Sequence, residues 1–555
     1  MRKNLLLISL LVATAISATE VNLNWYSSLV SPAGKPQTQI FDIQINGSGD
    51  AFVLGHSGSI NATDESTFLG ETFTGADYGT GTSFNKNLIF TKVDMQGDLI
   101  WAVRSTDGDY SDAAFCATTD GGAVLALKFR LTNKNQVTNQ ESPYLTLVDA
   151  TGESHSLKTK FTGSNFNHLV LVNITPNGEI TKMTILYTAS VAPNGTATDV
   201  ASITAIAQDE EGNLYFAGKQ ALDIAIGTDT LRAVHTGQWN GDMQYLNNYS
   251  NSFIIKTDKD FNHLAHVTAT GTVTADQIMK MSYKNGKLMV VGHILTADAA
   301  KTFQLGEKEV TINDRSILVA QLDKNLTCSY IAPVQQAAAG SSKGVQLQQM
   351  TWAEDGNSIF VVGGIQNGIL FNGTEIYAGG GTAPGNMYDG IIMHIDAATG
   401  NLLHATFAGN TVLNQHTGIV TFGKDTILTI NYASGGGVNL YKYTADLQFV
   451  DKTQLAKGGA MNVTASAARH ENTLLMTFRA FKNTNVTLAD QTINQPTMWY
   501  NTLVAWTLPG TPSTPTDNVR ATVPANDDKA QKVIIDGKLY IRRGNQLFNA
   551  LGQQL

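Results

Sequence analysis

A four-strand pattern recurs along this chain, and that recurrence limits the fold more than any other feature. Seven β-type runs align on one motif: LIFTKVD (88–94), LVLVNIT (169–175), FIIKTD (253–258), ILVAQLD (317–323), IIMHID (391–396), VNLYKYT (438–444) and LVAWTL (503–508). Each is rich in β-branched and aromatic residues, and several run into Gly or Asn turn residues. A hairpin precedes each run, as in FDIQINGSGDAFVLG (41–55), ITAIAQDEEGNLYFAG (203–218) and MTWAEDGNSIFVVGG (350–364). A fourth strand follows each of the first six, such as LIWAV (99–103) or HLAHVTA (263–269). The unit is a meander of strands A, B, C and D, present seven times.

One such sheet cannot bury both of its faces. Stacking the copies in a ring does so and hides most edges. A four-stranded unit repeated four to eight times is the signature of a β-propeller. The expectation is an all-β, seven-bladed β-propeller of four-stranded blades. The seventh unit stops at LVAWTL with no D strand, while LNWYSSLV (23–30) stands alone before the first unit. Its Trp25 sits where Trp101 sits in the first D strand. Residues 23–30 are therefore expected to supply the outer strand of the last blade and close the ring.

The segments DEEGNLYFAG (209–218), NLIFTKVDMQGDLIWA (87–102) and FIIKTD resemble the bacterial seven-bladed β-propeller repeats of secreted proteins. The resemblance covers roughly residues 20–510 and departs from the pattern in units 2, 6 and 7, where the turn Gly or the Lys is lost. It implies the fold. It implies little about activity, because this fold hosts many functions.

Composition removes several classes. In 555 residues the net charge is −9, so the chain has no electrostatic footprint for nucleic acid. Two cysteines, Cys116 and Cys328, cannot make a disulfide framework; they fall two blades apart and at different radii, and read as buried apolar residues. Residues 1–18, MRKNLLLISLLVATAISA, have the charged, apolar, small order of a signal peptide. No other stretch reaches the length of a membrane span. The expected organisation is signal peptide 1–18, propeller 19–510, Pro/Thr-rich linker 511–530 and a small β module 531–555. KVIIDGKLYIRRGNQLFNALGQQL resembles the C-terminal modules of exported Bacteroidales proteins, and its last residues resemble the closing strands of type IX secretion sorting domains. The resemblance implies a secreted or cell-surface protein of a Gram-negative bacterium, with outer-membrane export machinery as a partner.

In such a meander the B–C and D–A connections share one face of the disc, and the B–C connections here are long. Most carry a hairpin-like motif, such as IAIGTDTL (224–231), FQLGEKEV (303–310) or ILFNGTEI (369–376). Gathered insertions mark a binding face or cap the blade tops. The most polar insert, 232–250, places Trp239, Tyr245, Asn247 and Tyr249 together. Flat aromatics beside amides suit sugar rings, and they also pack a long loop onto a disc. Trp499 and Tyr500, with Tyr377 and Tyr388, are candidates for the same face. Asp107, Asp109 and Asp112 have carboxylate spacing that suits Ca²⁺, the one cofactor candidate. The recurrence of Asp112 as Asp199 and Asp276 at the start of other A strands suits turn capping instead. Gly340 to Gly344 matches G-x-S-x-G but lies between strands, outside the strand–turn–helix setting that motif needs. His263 and His266, three apart on a strand, are expected on opposite faces. The functional expectation is an exported, non-enzymatic propeller binding a glycan or a surface protein through its B–C/D–A face. The alternatives are a carbohydrate-active hydrolase or lyase on that face and a structural surface component.

Overall fold

The structure, a computed structural model, describes residues 21–30, 38–59, 64–74, 85–107, 109–130, 141–160, 167–189, 201–226, 228–234, 250–273, 275–294, 300–313, 315–336, 345–365, 368–377, 389–408, 414–433, 437–458, 461–462, 466–480, 484–495, 500–509, 531–535, 538–543 and 546–549. Among these every regular element is a β-strand. Residues 1–510 form one compact unit and 511–555 another. Within the second, Gln531–Ile535, Lys538–Arg543 and Gln546–Asn549 pair as a three-stranded antiparallel meander.

The first unit is a seven-bladed propeller. The first blade runs outward through Gln39–Ile45 (A), Ala51–Ser59 (B), Asn85–Val93 (C) and Leu99–Asp107 (D), every pair antiparallel. Five further blades repeat this order. The seventh closes as expected: Asn22–Leu29 pairs with the seventh C strand, Tyr500–Thr507, with Leu23 opposite Trp506 and Trp25 opposite Ala505.

Apolar packing between blades, rather than within them, makes the core. The C strands read as almost uninterrupted buried runs, as in Asn251–Thr257 and Ser316–Asp323. That pattern belongs to strands covered on both faces. The buried residues form seven clusters, one at each blade junction. Phe52, Phe90, Phe115, Leu125 and Val170 join the first two blades. Leu29, Ile40, Val53, Leu475 and Leu503 join the last blade to the first. Each such side chain taken from water contributes about 1.5–3 kcal/mol.

Polar contacts repeat the same junction near the turns. Every D strand carries a one-residue bulge near its start, at Asn24, Ile100, Thr181, Leu264, Ser329, Leu403 and Val450. A bulge kinks the strand and re-aims the side chains beyond it. The next residue reaches the C–D turn of the following blade in five places. Trp25 Nε1 donates to Met95 O and Trp101 Nε1 to Pro176 O, both at 2.9 Å. Lys182 donates to Asp260 O, Tyr330 to Asp396 O and Ala397 O, and His404 meets Asp446. Gly97 and Gly178 have φ of 92° and 85°, and a Cβ there would strike the indoles of Trp25 and Trp101. Glycine is needed at both for conformation and for space.

The recurrent Lys and Asp have the same physical basis. Lys92, on a C strand, pairs with Asp50 at 3.0 Å and donates to Gly121 O of the second blade. Lys256 stands 3.6 Å from Asp209 and donates to Lys324 O of the fourth blade. Tyr215 Oη lies 3.0 Å from both Asp209 Oδ2 and Lys324 O. The D..GN.Y pattern thus writes one turn and its lock onto the next blade.

The long B–C inserts have a role that their length and composition do not announce. Each described insert hairpin leaves its own blade and docks on the outer edge of the preceding one. Glu141–Val148 with Ser154–Lys160 extends the first blade, and Ile224–Ile226 with Asp229–Leu231 the second. Lys301–Leu305 with Lys308–Ile312 extends the third, and Ile369–Phe371 with Thr374–Tyr377 the fourth. Thr484–Leu488 with Gln491–Gln495 extends the sixth. The hairpin Glu65–Phe68 with Glu71–Thr74 reaches Val30, just past the closing strand, through a Val30–Thr67 bridge. Unit 6 has almost no insert, and the fifth blade keeps four strands. The blades are thus four- to six-stranded, because the added hairpins cover exposed D-strand edges.

The closing blade carries the same Trp lock as the first blade. Trp25→Ala is expected to lower stability to urea by about 2–4 kcal/mol, the loss of a packed indole and its hydrogen bond. Trp101→Ala is the internal comparison, and a Trp25→Ala midpoint within error of the wild type would show that the closing strand contributes nothing.

Candidate functional site

The inner A strands surround a central channel. Residues of all seven line a cavity of about 480 Å³, among them Asp42, Gln44, Cys116, Gln208, Lys280, Tyr283, Gln349, Thr421 and Arg469. The lining runs from mid-strand to the A–B turns. The described cavity therefore lies toward the A–B face, away from the end that carries the B–C inserts.

An A strand is the inner edge of its blade, so its outward backbone groups need partners. Bulges interrupt the first six inner strands, at Phe41, Ser111, Thr204, Met279, Gln348 and Thr417. Side chains then join neighbouring inner edges. Gln44 accepts from Ala117 N at 3.0 Å and donates to Phe115 O at 2.8 Å, copying a β-ladder partner. Gln208 accepts from Thr119 N, and Thr204 donates to Ile278 O. Trp352 Nε1 donates to Ser282 Oγ at 3.0 Å. Gln349 accepts from Ile419 N and donates to Ala467 O, spanning two junctions. Ser466 donates to Asp42 Oδ1 and accepts from Ile43 N, which joins the last inner strand to the first. Most of the channel's polarity is thus occupied in holding the ring.

The charged groups divide clearly. Arg469 donates to Thr421 O and to Glu354 Oε1 and lies over the Phe422 ring. Burial lowers its pKa, and the Glu354 carboxylate opposes that shift. Burial, and then a bond to Glu210, raises the Tyr283 pKa, so its phenol stays protonated. Burial pushes the Cys116 thiol up to about 12, which removes it as a nucleophile. Both cysteines are buried and free. Lys280 differs from all of these. It lines the cavity, and its side chain has no hydrogen-bond or ion-pair partner among the described residues.

The residues singled out from sequence fare unevenly. Trp239, Tyr245, Asn247, Tyr249, Trp499, Tyr388, Asp199 and Gly340–Gly344 lie outside the described residues. Tyr500 does not face a ligand. It is fully buried in the core between the sixth and seventh blades, because its position opens a C strand covered on both sides. Tyr377 stacks on Phe407 at 4.3 Å and joins its docked hairpin to the fifth blade. Asp107 ends the first D strand, and Asp109 and Asp112 lie in the second A strand, Asp109–Ala117; their side chains fall outside the described residues. The described counterpart, Asp276, is buried and caps backbone, accepting from Ser252 N on the neighbouring blade. Burial raises its pKa to about 6, against the Ser252 bonds that lower it.

His263 and His266 also depart from expectation. The bulge at Leu264 inserts one residue into the D strand His263–Gly271 and reverses the face taken by the residues after it. Both imidazoles lie on one face, with His266 Nδ1 3.2 Å from His263 Nε2.

No protein-family model and no curated protein matches the chain. Among solved structures, it is similar to a protein of unknown function from Dyadobacter fermentans DSM 18053, at 12% identity over 73% of this chain and 99% of that one, with a TM-score of 0.36. It is also similar to the quinohemoprotein alcohol dehydrogenase ADHIIG of Pseudomonas putida HK5, at 10% identity over 93% and 79%, TM-score 0.36. The phage phi92 endosialidase aligns at 8% identity over 96% and 78%, TM-score 0.33.

The Asp276 carboxyl sets a pH dependence. Its folded pKa, about 6, lies above the ordinary carboxyl value of 3.8. The folded state therefore holds a proton that the unfolded chain releases, and stability falls as pH rises through about 4 to 6. Asp276→Asn keeps an acceptor for Ser252 N and removes the ionisation. The variant is expected to gain on the order of 3 kcal/mol over the wild type at pH 7 relative to pH 3.5, read by urea denaturation at both values. An equal difference at the two pH values would contradict the assignment.

Proposed function

We propose that this is an exported, non-enzymatic β-propeller that binds a glycan, with an anionic group of the ligand taken by Lys280 in the central channel. The observation that carries this reading is Lys280, a cavity-lining residue with no hydrogen-bond or ion-pair partner among the described residues, beside polar groups that are largely engaged in holding neighbouring inner strands. A cavity of about 480 Å³ is in the range of small-ligand pockets and too narrow for a folded partner. Amides, hydroxyls and an ammonium suit a sugar carrying a carboxylate. The aromatic insert 232–250 supports a second contact surface on the B–C face in the same reading.

Export rests on the order of residues in 1–18 and on the resemblance of the tail to sorting modules. Among the described residues no helix is long and apolar enough to cross a membrane.

The test is a screen of acidic and neutral glycans against the full chain, followed by Lys280→Ala and Trp239→Ala. Lys280→Ala is expected to weaken binding of an acidic glycan by tenfold or more, about 1.4 kcal/mol. Loss in Trp239→Ala alone would move the site to the insert face. Turnover of a bound glycan would replace the binding reading with an enzymatic one.

A further inference from the structure

The described residues place two imidazoles and a carboxylate together on the rim, where the second and third blades meet. His263 and His266 come from the third D strand. Asp229 comes from the insert hairpin Ile224–Ile226/Asp229–Leu231, which docks on the outer edge of the second blade. His266 Nδ1 lies 3.2 Å from His263 Nε2, and Asp229 Oδ2 lies 3.8 and 3.9 Å from Nδ1 of His263 and His266. One ligand atom can be chosen from each so that all three fall within 4.8 Å of one another. Donors on a tetrahedral ion with bonds of about 2.0–2.1 Å stand roughly 3.3 Å apart, so small rotations complete the set.

We propose that Asp229, His263 and His266 bind a divalent transition-metal ion that ties the outer edges of two blades together. Two nitrogen donors and one carboxylate suit Zn²⁺, Co²⁺, Ni²⁺ or Cu²⁺; Ca²⁺ and Mg²⁺ prefer oxygen sets. The bulge at Leu264 is the structural device. It turns a three-residue spacing, which would split the imidazoles across the strand, into a same-face pair, while Leu264 itself points to solvent at 52% exposure. The imidazoles are mostly covered, and the carboxylate is 57% exposed. A groove of about 340 Å³, lined by Ile226, Thr228, Phe261 and His263, adjoins the set and leaves room for a solvent ligand. A second cluster, Asp149, Glu153 and His155, is a weaker candidate. Its Asp149 already accepts from Thr151, Glu153 N and Ile180 N in closing its own turn.

The test uses the full chain and Co²⁺, followed by visible absorption and calorimetry, with Zn²⁺ in a thermal-shift assay. The wild type is expected to bind one equivalent with the d–d bands of a nitrogen/oxygen site and to melt higher with Zn²⁺. His263→Gln and His266→Gln are each expected to lose more than about tenfold in affinity and to lose the Zn²⁺ shift. Asp229→Asn, on an exposed hairpin residue, gives a smaller loss in the same direction and needs no change in packing. His155→Gln leaves binding unchanged. The proposal is overturned by no stoichiometric Co²⁺ uptake, by uptake that survives in His263→Gln, His266→Gln and Asp229→Asn, or by loss in His155→Gln instead.

Discussion

Seven apolar junctions between blades hold this molecule, and the one between the last blade and the first makes a ring of what would otherwise be a stack. Leu29, Ile40, Val53, Leu475 and Leu503 fill that junction with residues drawn from both ends of the propeller. Each blade is buried on both faces only because a neighbour covers it, so no blade is stable by itself. The closing strand Asn22–Leu29 has two effects at once. It pairs with Tyr500–Thr507 and carries Trp25 onto the Met95 carbonyl. Opening the ring must break ladder, core and turn lock together.

Around that core the chain repeats two devices that join neighbours. At the turn face, a residue re-aimed by a bulge reaches the C–D turn of the following blade. At the other face, an insert hairpin reaches back to the D strand of the preceding blade. Successive units are therefore laced in both directions. The inserts that a loop-length argument assigns to ligand capture serve first as edge covers. The channel obeys the same logic, since Gln44, Gln208 and Gln349 satisfy inner-edge backbone groups, and Lys280 lines it with no polar partner among the described residues.

Much of the architecture is legible in the chain. The strand runs, the hairpins at 224–231, 303–310 and 369–376, the almost absent insert of unit 6 and the borrowed outer strand all come from repeat and turn chemistry. The hairpin at 141–160 is not, because YLTLVDATGESHSLK carries polar residues at alternate positions and lacks a two-residue Gly turn. The channel groups escape a sequence reading as well, although FDIQI holds a signal: Asp42 and Gln44 alternate with apolar residues on a strand that otherwise reads as core. Tyr500 misleads because an aromatic at a strand entrance has the same local signature whether it faces solvent or a neighbouring blade.

The amino-acid order by itself determined the blade count, the closure and the turn chemistry, because those depend on local periodicity and on residues such as Gly97 whose φ no other side chain readily adopts. Only the tertiary structure decided which groups meet. The shared face of His263 and His266 turns on a bulge that no composition announces, and Asp229 reaches them because its hairpin crosses to another blade. Strand alternation is a local property. Register shifts and inter-blade docking are set by the total burial of the closed ring, and that total exists only once all seven blades are in place.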